Sequence, residues 1–211
     1  MKNAALSRAI KWLFIAQMLS IVALLPLVYA LKTLLRAVSA LLTLAALVKA
    51  AGEASGYRTA LRLQAADLAL DVLSYVLLRR LIYFLINILG TWAVQVAGLG
   101  SFLLSIASLV LGLLILRQIC LITAGLVDDP SLAARGIWAW RVNLICTVAG
   151  IVLTIAVSAL LGMDLDAEKQ LGLSTAVTLL VSYVFPVAQV VAWVLYLRFL
   201  WQSARCLSAP D

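Results

Sequence analysis

Histidine is absent from this chain. Its absence removes the commonest general base and the commonest metal ligand. Ser-His-Asp hydrolases, histidine-dependent metalloproteases and lipid phosphatases are excluded with it. Charge is also scarce. Asp, Glu, Lys and Arg make up 12% of the 211 residues, where a soluble domain carries about a quarter. Cysteine is limited to Cys120, Cys146 and Cys206. The number is odd and no CxxC spacing occurs, so we read all three as reduced packing residues. There is no Walker loop, no Gly-x-Ser-x-Gly elbow and no Cys/His metal spacing. Neither a cofactor nor a metal is expected.

What remains is apolar. Hydrophobic residues form 65% of the chain, too much surface for a soluble fold of this length to bury. Uncharged runs cover residues 12–31, 81–116, 142–163 and 170–197. Each reaches or exceeds the roughly 20 residues a helix needs to cross a bilayer. No polar segment is long enough to form a second domain, so residues 1–211 read as a single integral membrane domain. The fold class is all-α: a polytopic transmembrane helix bundle of about six spans. Lys2, Arg8 and Lys11 before an apolar stretch resemble a signal sequence, and 28–30 loosely fits a cleavage site. The apolar run is longer than a signal core, and a retained first helix is expected.

The net charge of +7 does not indicate nucleic acid, because the basic residues stand at intervals matching membrane edges and no basic stripe interleaves with stacking aromatics. Anchoring against anionic lipid explains them better, so the expected partner is the bilayer. They also bound the spans. The first covers 12–31, with Pro26 kinking or ending it. The second covers 33–48, and the third runs from Tyr57 to Arg79-Arg80. Residues 81–116 fit either two spans turning at Gly98–Gly100 or a re-entrant segment over 81–98 and then one span. Asp129-Pro130 signals an N-cap with proline at the first helical position, opening the fifth helix. The sixth covers 174–197, with a kink at Pro186.

The positive-inside rule favours six spans over seven. Six spans with a cytoplasmic N-terminus put Lys2, Arg8, Lys11, Lys49, Arg58, Arg62, Arg117, Arg135, Arg141, Arg198 and Arg205 on one side. Both termini are then cytoplasmic, and the acidic segment 164–168 faces out. Trp12, Trp138, Trp140 and Trp201 sit near the predicted edges, as an interfacial belt requires. Tyr83 and Trp92 suit an outer-surface location for 81–98.

The six helices form three pairs. The odd helices each place one polar residue deep in an apolar run: Gln17, Asp67 and Asn143. The even helices end alike, at Lys49-Ala50-Ala51, Ile122-Thr123-Ala124 and Gln202-Ser203-Ala204. A threefold hairpin repeat is one reading, and chance recurrence in low-diversity sequence is the other. Small residues such as Gly112 and Gly150 permit close helix contact. The only Gly-x-x-x-Gly spacing, Gly52 to Gly56, falls in a predicted loop.

Asp67 and Asp71 are the only acidic residues placed inside the hydrocarbon region. Four residues apart, they share one face of the third helix. Each costs roughly 2.5–3.5 kcal/mol at a bilayer centre, so neither should face lipid. With Arg62 at the membrane edge they lie about 7.5 Å and about 13.5 Å inside, at about 1.5 Å per residue. Two readings stay open. One is a proton or cation site with Gln17, Gln64 and Asn143 as neighbours. The other is a packing ion pair of Asp67 with Arg141 or Arg117. Arg117, Arg141 and Arg198 end uncharged runs, as an anion-binding cluster or as arginines snorkelling to the interface.

The segments Ser7-Arg8-Ala9-Ile10-Lys11-Trp12, Phe14-Ile15-Ala16-Gln17 and Gly56-Tyr57-Arg58-Thr59-Ala60 resemble multi-pass membrane proteins of Gram-positive bacteria that carry no assigned activity. Size and span count also resemble the substrate-binding subunits of vitamin transporters, a likeness of helix number alone that transfers no binding residues. The resemblance implies a bacterial inner-membrane location. Together these features suggest a small transporter or solute-binding membrane subunit, with its site between helices one, three and five and a small molecule or ion as ligand. The alternative is a non-transporting accessory or scaffold protein holding a membrane protein partner. An enzyme is disfavoured.

Overall fold

A computed structural model describes residues 2–23, 29–89, 91–161 and 185–208. Among them are six α-helices: α1 Lys2–Val22, α2 Tyr29–Glu53, α3 Tyr57–Leu89, α4 Thr91–Leu126, α5 Pro130–Leu161 and α6 Phe185–Cys206. Four carry stretches long and apolar enough to cross a membrane: Ala4–Val22, Ala30–Glu53, Leu99–Leu126 and Pro130–Leu153. The chain is a helical, multi-pass membrane protein by this composition. The helix α3 carries charges along its length and is not among the four.

Helix ends differ from those drawn at charged residues, because Lys and Arg are good helix formers and do not stop a helix. The helix α1 begins at Lys2 and ends at Val22. It stops short of Pro26, which cannot supply an interior helix donor. Residues 29–53 extend α2 at both ends. The expected turn at Gly98–Gly100 does not form, while one apolar stretch, Leu99–Leu126, matches the single span expected from Ser101. Residues 81–89 complete α3, residues 91–116 belong to α4, and the helix runs unbroken through Gly98–Gly100. Pro26, the segment 164–168 and the start of the sixth predicted span lie outside the described residues, as do the side chains of Tyr83, Trp92 and Pro186.

The start of α5 is as the sequence suggests. The Asp129 carboxylate accepts hydrogen bonds from the amides of Ser131 at 2.8 Å and Leu132 at 3.4 Å. Pro130 then opens the helix. A hydrogen bond from the Ser131 side chain, and after it the Ser131 amide, hold the Asp129 carboxyl below the ordinary carboxylate range. Between α2 and α3 the chain turns within three residues, closed by Tyr57 N to Ala54 O at 3.1 Å and Arg58 N to Ser55 O at 3.1 Å.

Each helix packs against its neighbours in sequence, and α1 packs against α6. The six therefore form a closed ring of three antiparallel pairs. Cross-links fix the directions. Ser7 near the start of α1 donates to Ala204 O near the end of α6 at 2.6 Å. Tyr57 Oη and Thr123 Oγ1 join the start of α3 to the end of α4 at 2.6 Å. Ser39 Oγ donates to Ala16 O at 2.8 Å.

The core gathers at one end of this ring. It contains Leu6, Ala9 and Leu13 of α1, Ala46, Leu47 and Ala50 of α2, and Tyr57 and Ala60 of α3. Ile119 and Cys120 of α4, Ala139 of α5, and Tyr196, Leu200 and Ala204 of α6 complete it. The similar helix ends noted in the sequence, Ala50-Ala51, Thr123-Ala124 and Ser203-Ala204, are all buried here. Basic residues at this end meet tryptophans: Lys49 over Trp12 at 5.4 Å, Arg117 over Trp140 at 5.7 Å and Arg205 over Trp201 at 4.9 Å. Cys120 is buried and Cys146 half-buried, but Cys206 is exposed on the last turn of α6, so it does not pack.

Gly136 admits the Phe199 ring of α6. A Cβ there would stand 2.5 Å from Phe199 Cζ. Gly136→Ala should therefore destabilise the packed end by about 1–3 kcal/mol, read as a lower melting temperature in detergent, with Phe199→Leu restoring part of it. Asp129→Ala should speed amide exchange at Ser131 and Leu132, while Asp129→Asn, an equally good cap, should not. Because its folded pKa is depressed, the Asp129 contribution is present above the ordinary carboxylate range. It is lost as pH falls through the lowered value, so exchange at these amides should rise there.

Candidate functional site

Away from the packed end, the polar side chains of α1, α2, α3, α4 and α6 face a chamber of about 400 Å³. The turn spacing of α3 aligns Gln64, Asp67 and Asp71 along one stripe, and the structure turns that stripe into the chamber. From α2 come Arg36, Ser39 and Thr43, from α1 Gln17 and Ser20, and from α4 Ser108. Trp193 and Tyr196 of α6 close one side, their rings 5.9 Å apart.

Asp67 is half-buried and accepts a hydrogen bond from Ser108 Oγ at 2.7 Å. Asp71 lies one turn further from the packed end and is exposed. It feels repulsion from Asp67 and attraction from Arg36. Two carboxylates and one guanidinium leave the chamber one negative charge. Gln64 is only 8% exposed, yet it makes no hydrogen bond among the described residues. Its amide opens onto the chamber, and the buried polar atoms without a partner among the described residues are Trp140 Nε1, Tyr196 Oη and Ser203 Oγ.

Of the candidate residues, Gln17, Gln64, Asp67 and Asp71 come together. Asn143 does not join them. Its Nδ2 bridges Ala139 O at 2.9 Å and Ala192 O at 3.0 Å, bracing α5 against α6. It faces a second, apolar cavity of about 600 Å³ between α4, α5 and α6. Arg117 and Arg141 are exposed, and Asp67 forms an ion pair with neither. Arg117 lies instead over Trp140. The chamber is therefore not between helices one, three and five. Among the described residues the main contacts of α5 are with α4 and α6, and α2 and α4 line the chamber in its place.

Arg36, Ser39, Ser108 and Trp193 were not among the sequence candidates. Arg36, Ser39, Ala40 and Thr43 repeat at helical spacing, a polar stripe that could have been read from α2 alone. Ser108 gave no such signal, since single serines are common in apolar helices. No group of three or more metal-ligating side chains converges among the described residues.

No protein-family model matches the chain, and neither does any curated protein or solved structure. What is shown is structural: a helical protein with four candidate membrane spans.

The two buried amides should respond oppositely to mutation. Asn143→Leu removes two hydrogen bonds, one of them the tie from α5 to the Ala192 carbonyl of α6, costing about 1–3 kcal/mol. Gln64→Met loses no bond and should leave the melting temperature unchanged or raised, as at binding positions that trade stability for function. Thermal melts of both variants in one detergent test the contrast.

Proposed function

We propose that this protein is a small membrane transporter or solute-binding membrane subunit whose ligand occupies the Asp67–Asp71 chamber. One observation carries the reading. Two carboxylates, Asp67 and Asp71, face a chamber ringed by five helices with Arg36, Gln17 and Gln64 around them, and charged side chains within a membrane bundle are costly to keep without a use. Ionisable groups set within a membrane bundle mark solute or ion paths by default, and sites between helical repeats are common in transporters.

All six helices cross the bilayer in this reading. Asp67 and Asp71 of α3 are sheltered by the chamber, and the charges at the end of α6 by the interface. The packed end lies in the cytoplasmic interface of a bacterial inner membrane. The ends of all six helices there carry eleven of the sixteen basic residues, in accord with the positive-inside rule. Tryptophans under Lys49, Arg117 and Arg205 fit the headgroup layer. The three antiparallel pairs and their buried small ends fit a threefold hairpin repeat.

The reading is tested by purifying the protein gently and identifying by mass spectrometry what accompanies it. A small molecule is expected with the natural chain and absent from Asp67→Asn/Asp71→Asn, with both accumulating equally. A stoichiometric partner chain and no small molecule would replace this reading with a scaffold. Failure of the double variant to accumulate would make the pair structural.

A further inference from the structure

The polar chamber does not end at α4. Gly112, Leu116 and Trp193 line both it and the apolar cavity between α4, α5 and α6. Gly112 is the thinnest part of that shared wall. A Cβ placed on it would meet no atom within 4 Å, so space lies open beside the α4 backbone. The two compartments differ sharply in chemistry. One holds Asp67, Asp71, Arg36 and Gln64. The other is walled by Phe102, Ile106, Ile151, Ile155 and Phe185. Each has the size of a small-molecule site.

We propose that the ligand is an amphiphilic organic monocation, with its charged head between Asp67 and Asp71 and its apolar body passing Gly112 into the α4–α5–α6 cavity. This inference rests on the solute-binding reading above and names the ligand class.

Charge decides the head. The chamber keeps one negative charge after Arg36 is counted, and a single cationic group balances it, whereas an anion would meet two carboxylates. Gln64 lines the chamber beside the carboxylates and offers its amide oxygen to an ammonium N–H. The Trp193 ring stands at the junction, where a cation leaving water gains from an aromatic face. The apolar cavity decides the body. Burial there rewards each methylene by roughly 0.8 kcal/mol, about fourfold in affinity. A small hydrophilic cation would leave that cavity unused, and a neutral hydrophobe would leave the carboxylates unused.

The full-length protein in lipid nanodiscs is dialysed to equilibrium against butylamine, hexylamine and octylamine. Affinity should climb about fourfold per methylene, and Asp67→Asn/Asp71→Asn should weaken octylamine at least tenfold. Gly112→Leu, which fills the junction, should flatten the chain-length dependence while keeping butylamine bound. Ile151→Trp, which fills the apolar cavity from α5, should do the same and serves if Gly112→Leu does not fold. Octanol should not compete with octylamine. Equal affinity for butylamine and octylamine, or competition by octanol, overturns the inference. So does binding that the aspartate variants leave intact, which is partition into lipid. Should the double variant lose its co-purifying molecule while no amine binds, the solute-binding reading survives and the amphiphile falls. Should neither occur, both fall.

Discussion

Ala9, Ala50, Ala60, Ala124, Ala139 and Ala204 let six helix backbones meet at one end of this protein. In lipid no hydrophobic force draws helices together, since acyl tails are as apolar as leucine. Close backbone approach and hydrogen bonds must do it instead. Small side chains permit the approach. The Ser7–Ala204 and Tyr57–Thr123 bonds add directional links, and Gly136 admits the Phe199 ring. Every other feature of the fold follows from this closure. Helices held tightly at one end need not be tight at the other, and the polar chamber occupies the space between them there.

The division of labour among polar residues follows the same logic. Near the packed end Asn143 braces α5 on α6 and Arg117 lies on Trp140, while Trp140 Nε1, Tyr196 Oη and Ser203 Oγ are buried without a partner among the described residues. Polar residues one or two turns further along are only partly engaged. Asp67 has Ser108, whereas Gln64 has no partner. Carboxylates are expensive within a membrane bundle, so the placing of two of them on one chamber argues for a ligand that meets them.

Much of the candidate site was legible in the residues. Two carboxylates four apart in an apolar helix had to face inward, and helical spacing added Gln64 to their face. The identity of the opposite wall was not legible. Arg36 reads as an edge residue when only its place in a span is counted, and the stripe it forms with Ser39 and Thr43 acquires meaning only once α2 is known to face α3. Arg117 and Arg141 looked like natural partners for Asp67 because all three lie near span ends. Partnership depends on which helix faces which, and sequence spacing carries no such information.

Composition alone determined the solvent, the all-α class and the inward turn of Asp67 and Asp71, because desolvating a charge in hydrocarbon outweighs any local preference. The Asp129-Pro130 cap was equally local: a side-chain acceptor and a fixed φ act on the next turn whatever surrounds them. Tertiary structure decided the rest. It divided residues 81–116 between α3 and α4, although uncharged length marks where lipid is tolerated and not where a helix stops. It closed the ring through α1 and α6, the contact most distant in the chain. By leaving α5 outside the chamber, it separated Asn143 from the carboxylates and set an apolar cavity beside a polar one. Those relations depend on which faces of different helices meet, and only packing in three dimensions sets them.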